Sequence, residues 1–342
     1  MLSLYLTRLA LLVLPVWLGH YFLTTSRKTA VYASSGRKIQ RVMQAVDSRM
    51  YKYRPPLLFY TSLGQLIADV LLDKLYIGSQ RKRYPLRRET IKLHDGGRVA
   101  LEWVSESEES SPAPNSDAVS LDPTPVLLVF HTITYRSGMG GESEKLARVA
   151  KQSLGWRSAL LVRRGHFGEP LDTPKFTLLG NPHDTEEAIL YVRKKFPRAP
   201  IVIAGCSAGT GDIVKYLGTV GDETPVTAAA LICPGYNTDP GKGFKRIREA
   251  FMGLVDKYLA NSVKNVLVHP NEKLLKERDP HAFTKASRAE SLENLRDALH
   301  VYEEHASLEE YHEKQNPLNY VHNLHVPLLC INSADDPVRS LQ

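Results

Sequence analysis

The hydrophobic pattern of the chain changes near residue 87, where alternating and continuous apolar runs begin to follow one another. Two alternating runs flank the turn Asp95-Gly96-Gly97 and predict a β-hairpin over residues 87–105, because Asp-Gly favours a tight turn. Short continuous apolar runs, typical of strands buried on both faces, follow at residues 125–131, 158–165, 200–205, 228–233 and 327–333. Stretches with helical spacing separate these runs, so the pattern predicts an α/β fold.

The helical stretches indicate the architecture. Residues 142–154 and 185–196 have helical spacing, and Asp184 is the candidate N-cap of the second stretch. This βαβ order predicts a mostly parallel sheet with helices on both faces. The charged, helix-rich insertion 234–326 lies between the last two apolar runs, and we predict that it forms a cap over the crevice at the carboxyl ends of the strands.

The first 26 residues are largely apolar, with Arg8 as their only formal charge. The stretch 9–26 is long enough for a tilted helix across about 30 Å of hydrocarbon, so we predict a transmembrane anchor over residues 1–26. A cleaved signal peptide is the alternative, although no clear small-x-small cleavage site follows. Residues 27–83 are then a basic juxtamembrane and helical lead-in, and residues 84–342 the α/β domain. Positive-inside reasoning predicts a single-pass membrane protein with a cytoplasmic body, with the endoplasmic reticulum as the favoured organelle.

The charge is unevenly distributed along the chain. The net charge is 44 − 37 = +7, but residues 1–100 hold 17 basic and 5 acidic residues, whereas the rest hold 27 and 32. The mildly acidic body gives no reason to expect a nucleic-acid partner. The basic N-terminal part either rests on anionic lipid headgroups of a bilayer or is a solvated flank that only sets topology. Three widely separated cysteines exclude a disulfide scaffold.

The sequence Gly205-Cys206-Ser207-Ala208-Gly209 is a G-x-S-x-G pattern between a buried strand and an amphipathic helix. A sharp strand-to-helix turn forces the central serine into strained φ/ψ, and the small residues two before and two after it relieve the clash. The Ser207 hydroxyl would stand at a helix N-terminus, where backbone N–H groups can bind a developing oxyanion. We therefore predict Ser207 as a nucleophile rather than part of a simple capping turn. Cys206 should point away from the crevice as a buried structural cysteine.

Two further segments would complete such a site. The loop after the strand 125–131 is placed to supply an oxyanion donor, so the N–H of Ala208 would be paired with the N–H of Thr132 or Ile133. Past residue 333 the chain carries two adjacent acids, of which Asp336 is the candidate triad acid.

No histidine follows Asp336 before Gln342, the last residue of the sequence. We therefore expect the triad base, and the last strand–helix unit that would carry it, to be missing. His131 and His166 lie near the predicted crevice rim and are candidate substitutes. No His or Cys residues have the spacing of a metal site, so no metal is expected.

Five segments resemble, in order, the membrane-anchored α/β-hydrolase-domain (abhydrolase) proteins of the embryogenesis-associated branch: DGGRVALEW, VFHTITYRSG, RRGHFG, GCSAGTGDIVKYLG and CINSADDPV. That branch includes medium-chain ester hydrolases and phospholipid-acting lipases. The resemblance implies the α/β-hydrolase fold, no cofactor, Ser207 as nucleophile and Asp336 as triad acid. The chain departs from the family at Thr132, where members commonly have glycine, and a β-branched residue restricts the oxyanion loop.

Together these features favour a membrane-anchored serine hydrolase that acts on carboxyl esters of lipids, phospholipids included, through an acyl-enzyme on Ser207. The missing histidine would instead fit a non-catalytic α/β-hydrolase-fold scaffold or lipid-binding protein. Acyl transfer to another alcohol is a further alternative, because it shares the acyl-enzyme with hydrolysis.

Overall fold

The protein is described here from a computed structural model. The structure describes residues 2–25, 29–46, 54–61, 64–65, 68, 83–106, 119–136, 141–166, 168–303, 305–333 and 336. The chain divides into two compact units, residues 1–72 and residues 73–342. The predicted site residues all belong to the second unit.

The first unit contains helix α1 (Leu2–Thr25), helix α2 (Arg37–Ala45) and a 3-10 turn at Leu57–Phe59. Among its described residues, the end of α1 contacts the segment 55–60: the His20 Nδ1 and Tyr60 hydroxyl lie 2.6 Å apart, and Tyr21 donates to the Pro55 carbonyl oxygen at 3.1 Å.

The prediction of a transmembrane anchor, and with it of a single-pass membrane protein, is wrong on the described residues. None of the helices among them is both long enough and apolar enough to cross a bilayer. The polar side chains His20 and Thr24, together with Pro15, interrupt the apolar sequence in the described part of α1. The cytoplasmic orientation and the organelle were inferred from this anchor, so both inferences lose their basis.

The second unit is built on one seven-stranded sheet. Its strands are β1 (Leu86–Lys92), β2 (Arg98–Val104), β3 (Val126–Phe130), β4 (Arg157–Val162), β5 (Ile201–Cys206), β6 (Val226–Ile232) and β7 (Leu328–Ile331). Their order in the sheet is β1-β2-β4-β3-β5-β6-β7. The hairpin β1–β2 and the pair β2–β4 are antiparallel, and all remaining pairs are parallel. This is the α/β-hydrolase fold, as predicted.

Helices cover both faces of the sheet because alternate strand residues point to opposite sides. Helix α3 (Glu142–Leu154) packs on one face against a core that includes Leu127 and Val129. Helices α4 (Pro182–Lys195) and α5 (Ala208–Val220) pack on the other face, where Leu128 and Phe130 belong to the core.

The connection from β6 to β7 is helical, as the sequence indicates. It contains helices α6 (Lys245–Glu249), α7 (Leu254–Val263), α8 (Glu272–Arg278), α9 (Pro280–Arg288), α10 (Leu292–Leu299) and α11 (Leu308–Gln315). These helices have an apolar core of their own, which also takes in Ile133 and Ala208 from the sheet's carboxyl edge. We call this insertion the cap. The domain boundaries given above remain predictions.

Candidate active site

Ser207 occupies a sharp turn between β5 and α5. Its backbone has φ 50° and ψ −113°, a conformation that residues other than glycine seldom adopt. The Ser207 N–H donates to the Ile232 carbonyl oxygen at 3.0 Å, and the Ser207 carbonyl oxygen accepts from the Thr210 N–H at 3.0 Å. The turn is therefore held from both sides, with Ser207 itself half-buried.

The two glycines of the pattern are required by close packing. A Cβ at Gly205 would lie 2.7 Å from the Gly209 carbonyl oxygen, and a Cβ at Gly209 would lie 2.3 Å from the Phe130 carbonyl oxygen. Both distances are shorter than a Cβ contact allows, so any larger residue would push the strand and the helix apart. The sequence-based reason for small residues on either side of Ser207 therefore holds in the fold.

The predicted oxyanion loop lies directly beside this turn. Ile133 and Ala208 are both buried in the core of the cap, which brings the loop after β3 against the N-terminus of α5. The Thr132 carbonyl oxygen accepts from the Tyr135 N–H at 3.3 Å and from the His131 Nδ1–H at 2.7 Å. The loop is therefore fixed by a turn that includes the β-branched Thr132.

Asp336 lies next to Cys233, the residue that follows β6. The Cys233 thiol hydrogen-bonds to the Asp336 carboxylate and to the backbone of Ser333, and burial is the main cause that raises its pKa. Cys233 has φ 52°, and its N–H donates to the Ile331 carbonyl oxygen at 2.8 Å. The Ser207 N–H donates to Ile232, and the next residue, Cys233, contacts Asp336. The candidate nucleophile and the candidate acid therefore contact two consecutive residues at the end of β6. Asp335 falls outside the described residues.

The sequence does not single out Cys233. A cysteine directly before Pro234-Gly235 at the end of a strand is the only available signal. Cys206, in contrast, is buried as predicted, and burial raises its pKa to about 12.

Neither candidate histidine substitute, His131 or His166, hydrogen-bonds to Ser207. Among the described residues, no side chain hydrogen-bonds to the Ser207 hydroxyl. His131 is fully buried, donates from Nδ1 to Thr132 and accepts at Nε2 from the Arg163 N–H at 3.3 Å. His166 is also fully buried, and burial followed by the nearby Arg163 charge lowers its pKa to about 3. Both imidazoles are thus neutral side chains of the interior.

A buried charged cluster, which sequence analysis missed, links α5 to the cap. The Lys215 Nζ donates to the Gly180 carbonyl oxygen at 2.6 Å and to the Gln315 amide oxygen. Gln315 in turn donates to Glu303 at 2.8 Å, and Glu303 accepts from the Leu178 N–H at 3.0 Å. Burial raises the pKa of Glu303 to about 7 and lowers the pKa of Lys215 to about 8. The helix that begins at the nucleophile is therefore fixed to the cap.

A groove of about 510 Å3 runs between the oxyanion loop and the cap. Its walls are mostly polar: Thr132, Thr134, Tyr135 and Arg136 from the loop, Gly141 and Glu142 at the start of α3, and Tyr258, Asn261, Ser262 and Asn265 from the cap. Within the described residues, no group of three or more His, Cys, Asp or Glu side chains could hold a metal ion.

No protein-family model matches the chain. Individual proteins do. The chain is 26% identical over 321 residues to the mouse (Mus musculus) protein Phospholipase ABHD3, covering 92% of this chain and 73% of that protein. It is 30% identical over 259 residues to human (Homo sapiens) Protein ABHD15, covering 74% and 52%. It is 28% identical over 224 residues to Monoacylglycerol lipase ABHD2 of Danio rerio, covering 60% and 52%.

The homologues of this chain are abhydrolase-domain proteins. This supports the family part of the resemblance drawn from the five sequence segments. The embryogenesis-associated branch remains a prediction, as do the roles of Ser207, Asp336 and the oxyanion loop.

Proposed function

We propose that this protein is a serine hydrolase that acts on carboxyl esters of lipids. The observation that carries the proposal is the strained backbone of Ser207, φ 50° and ψ −113°, between a buried strand and a helix. Strain of this kind persists only where the surrounding structure enforces it, and it is concentrated at functional sites. Two abhydrolase-domain relatives are named as a phospholipase and a monoacylglycerol lipase, which supports a lipid ester as the substrate.

In the proposed reaction, the Ser207 Oγ attacks the ester carbonyl carbon, and the carbonyl oxygen gains negative charge. The N–H groups of Ala208 and of Thr132 or Ile133 would stabilise this oxyanion, together with the N-terminal end of the α5 dipole. As the C–O bond to the leaving group breaks, the Ser207 hydroxyl proton is transferred to the alkoxide, which leaves as the alcohol while the acyl-enzyme forms. Water then attacks the acyl carbon, which releases the fatty acid and restores the Ser207 hydroxyl. We assign Asp336 as the carboxylate of the catalytic triad. We assign no general base, because no imidazole among the described residues hydrogen-bonds to Ser207.

The test is turnover of a soluble short-chain ester, a monoacylglycerol and a phosphatidylcholine by the full chain and by Ser207→Ala. We expect S207A to abolish turnover, and a fluorophosphonate probe to label Ser207 in the unmodified protein. Ser153→Ala, a change at an exposed serine of α3, is the matched control and should retain both properties. Equal turnover by S207A and the unmodified chain would reject the proposal.

A non-catalytic lipid-binding protein is the second candidate function. It is favoured by the contact of Asp336 with the Cys233 thiol, which engages the candidate acid with a sulfur group. Under this alternative the unmodified chain binds lipid but neither reacts with the fluorophosphonate probe nor turns over any of the three esters.

A further inference from the structure

The cap carries a concentrated set of exposed apolar side chains at the start of α7. Met252 is 93% exposed, Tyr258 69%, Leu254 64% and Phe251 36%. Single exposed apolar side chains are normal on a protein surface, but these four lie within one short segment. We call Phe251, Met252, Leu254 and Tyr258 the cap tip.

The backbone turns these side chains outward. Phe251 and Met252 have φ 50° and 57°, and Gly253 follows with φ 80°, so three consecutive left-handed residues reverse the chain before α7. Bulky residues rarely adopt this conformation. Within α7, Val255 and Leu259 pack against the apolar core of the cap. Leu254 and Tyr258, which are four residues apart, share a side of the helix that faces solvent.

Positive charge surrounds the cap tip. The segment from Gly241 to Tyr258 contains five basic and two acidic residues, a net charge of 5 − 2 = +3, although residues 101–342 together carry 27 − 32 = −5. One of the two acids, Asp256, is buried and accepts from the Leu292 N–H at 2.8 Å. Lys242, before the apolar residues, and Lys257, next to Tyr258, are both exposed. Two acids from outside the segment approach its basic residues: Glu290 lies 3.9 Å from the Lys257 Nζ, and Glu293 pairs with Arg248, which leaves a net charge of 5 − 4 = +1. Basic residues thus remain in small excess around the tip, which favours a negatively charged surface.

The cap tip also adjoins the candidate active site. Tyr258 lines the groove that runs along the oxyanion loop to Thr132. A molecule held at the tip therefore lies beside a groove whose wall includes residues of the oxyanion loop.

We propose that the cap tip docks on the surface of an anionic lipid bilayer and brings the groove to its ester substrates, an inference that rests on the proposed function. Apolar side chains enter the boundary between headgroups and acyl chains, and flanking lysines bind anionic headgroups. Large apolar side chains, a basic border and a groove leading to the site together favour a lipid surface over a protein partner.

The first experiment locates the tip directly. An environment-sensitive fluorophore is attached at Met252→Cys in the full chain carrying Cys330→Ser, which removes the exposed native thiol. Vesicles of phosphatidylcholine with phosphatidylserine should shift its emission to the blue, and nitroxide-labelled lipids should quench it. The matched control is Leu190→Cys on α4, which is 49% exposed and lies outside the cap. Its fluorophore should not respond. A label at position 252 that behaves like the label at position 190 would overturn the proposal.

The second experiment tests the consequence for activity. Met252→Glu with Leu254→Glu should reduce turnover of vesicle-borne ester by about tenfold or more, because the apolar insertion is lost. Turnover of a soluble short-chain ester should remain unchanged, as it should for both substrates in Leu190→Glu. Lys242→Gln with Lys257→Gln should weaken the response to phosphatidylserine. Unchanged vesicle turnover in the glutamate variant contradicts docking at the tip.

These readouts separate the two proposals. If the unmodified chain turns over no ester but the label at position 252 inserts into vesicles, the proposed function fails and docking stands. If soluble ester is hydrolysed but the label does not insert, docking fails alone. A lipid-free dimer that the glutamate variant converts to a monomer would assign the cap tip to a second copy of the chain and overturn docking. Met252→Gln with Leu254→Gln repeats the test if the glutamate variant is less thermally stable.

Discussion

Gly209 lies so close to Phe130 that a Cβ on the glycine would approach the phenylalanine carbonyl oxygen to 2.3 Å. This contact joins the first turn of α5 to the end of β3, where the oxyanion loop begins. The position of the candidate nucleophile and the position of its candidate oxyanion donors are thus set by one backbone-to-backbone approach. A methyl group would separate them.

Gly209→Ala should therefore destabilise the protein by about 1–3 kcal/mol or more and remove any esterase activity, because the added methyl group meets backbone and cannot be accommodated by a rotamer change. Gly211→Ala is the matched control on the same helix, since its Cβ meets only the Pro317 Cγ at 3.0 Å. Urea unfolding and soluble-ester turnover measure both effects. Equal losses in the two variants would show that the Phe130 contact is not the cause.

Arg164→Met should be strongly destabilising. The Arg164 guanidinium binds both carboxylate oxygens of buried Asp184, at 2.6 and 2.7 Å, and also pairs with Asp95 at 2.9 Å. Removing it leaves a buried carboxylate without its cation, which costs about 3–5 kcal/mol. The double variant Arg164→Met with Asp184→Asn should recover part of this loss in urea unfolding. Additive losses in the double-mutant cycle would contradict the pairing.

We expect the folded protein to lose stability at acidic pH because His131 and His166 are buried. Burial lowers the pKa of His166 to about 3 and that of His131 well below its usual value, so protons bind the unfolded chain more readily than the folded one. Above about pH 6.5 neither histidine reduces the free energy of unfolding. Below that pH, each histidine lowers the free energy of unfolding by about 1.4 kcal/mol per pH unit.

His166→Asn tests this prediction, because asparagine does not titrate. Burial raises the pKa values of Asp212 and Glu303 to about 6 and about 7, so these two carboxyl groups make the protein more stable as the pH falls. Their effect is present in both proteins, so the difference between the variant and the unmodified protein isolates the effect of His166. The stability advantage of the unmodified protein over H166N should shrink steadily from pH 6.5 to pH 4.5 in urea unfolding. A difference that does not change with pH would refute the assignment.

Lys215→Met should loosen the cap and α5 together. The variant leaves the Gly180 carbonyl oxygen without its ammonium donor at 2.6 Å and removes the positive charge near Asp212 and Glu303. The expected loss is about 3–5 kcal/mol, as for other broken buried ionic groups. Hydrogen exchange should quicken in both α5 and α11. Lys314→Met, at an exposed lysine of α11, is the control and should leave exchange nearly unchanged. Faster exchange confined to α5 would contradict the link.

The sheet was predictable from the sequence because its pattern is local. The stretch 142–154 is a helix with those bounds, and the runs predicted as strands overlap β3 to β7, with ends that differ by one to three residues. The N-cap of α4 was not predictable in the same way. Asn181 accepts from the His183 N–H at 2.9 Å and occupies that position, whereas Asp184 binds Arg164. A carboxylate serves either purpose, and only tertiary packing decides between them.

The interior charges were missed for a related reason. A lysine in a helix is expected on the exposed face, but Lys215 is fully buried. Its ammonium group is satisfied there because it bonds to Gly180 and Gln315. Local periodicity holds no information about partners so far away in sequence. The strained turn at Ser207 was predictable because its strand, helix and glycines all lie within a single segment.

The parallel pairing of β6 with β7 has a consequence for the order of folding. Ile232 lies opposite Ile331 in the sheet, with the entire cap between them in sequence. Bringing distant residues together carries a loop-closure entropy that adjacent strands such as β1 and β2 hardly incur. During synthesis, one edge of β6 therefore stays unpaired until the ribosome has made the whole cap and β7. That interval is the period when the nascent chain is most open to pairing with another molecule.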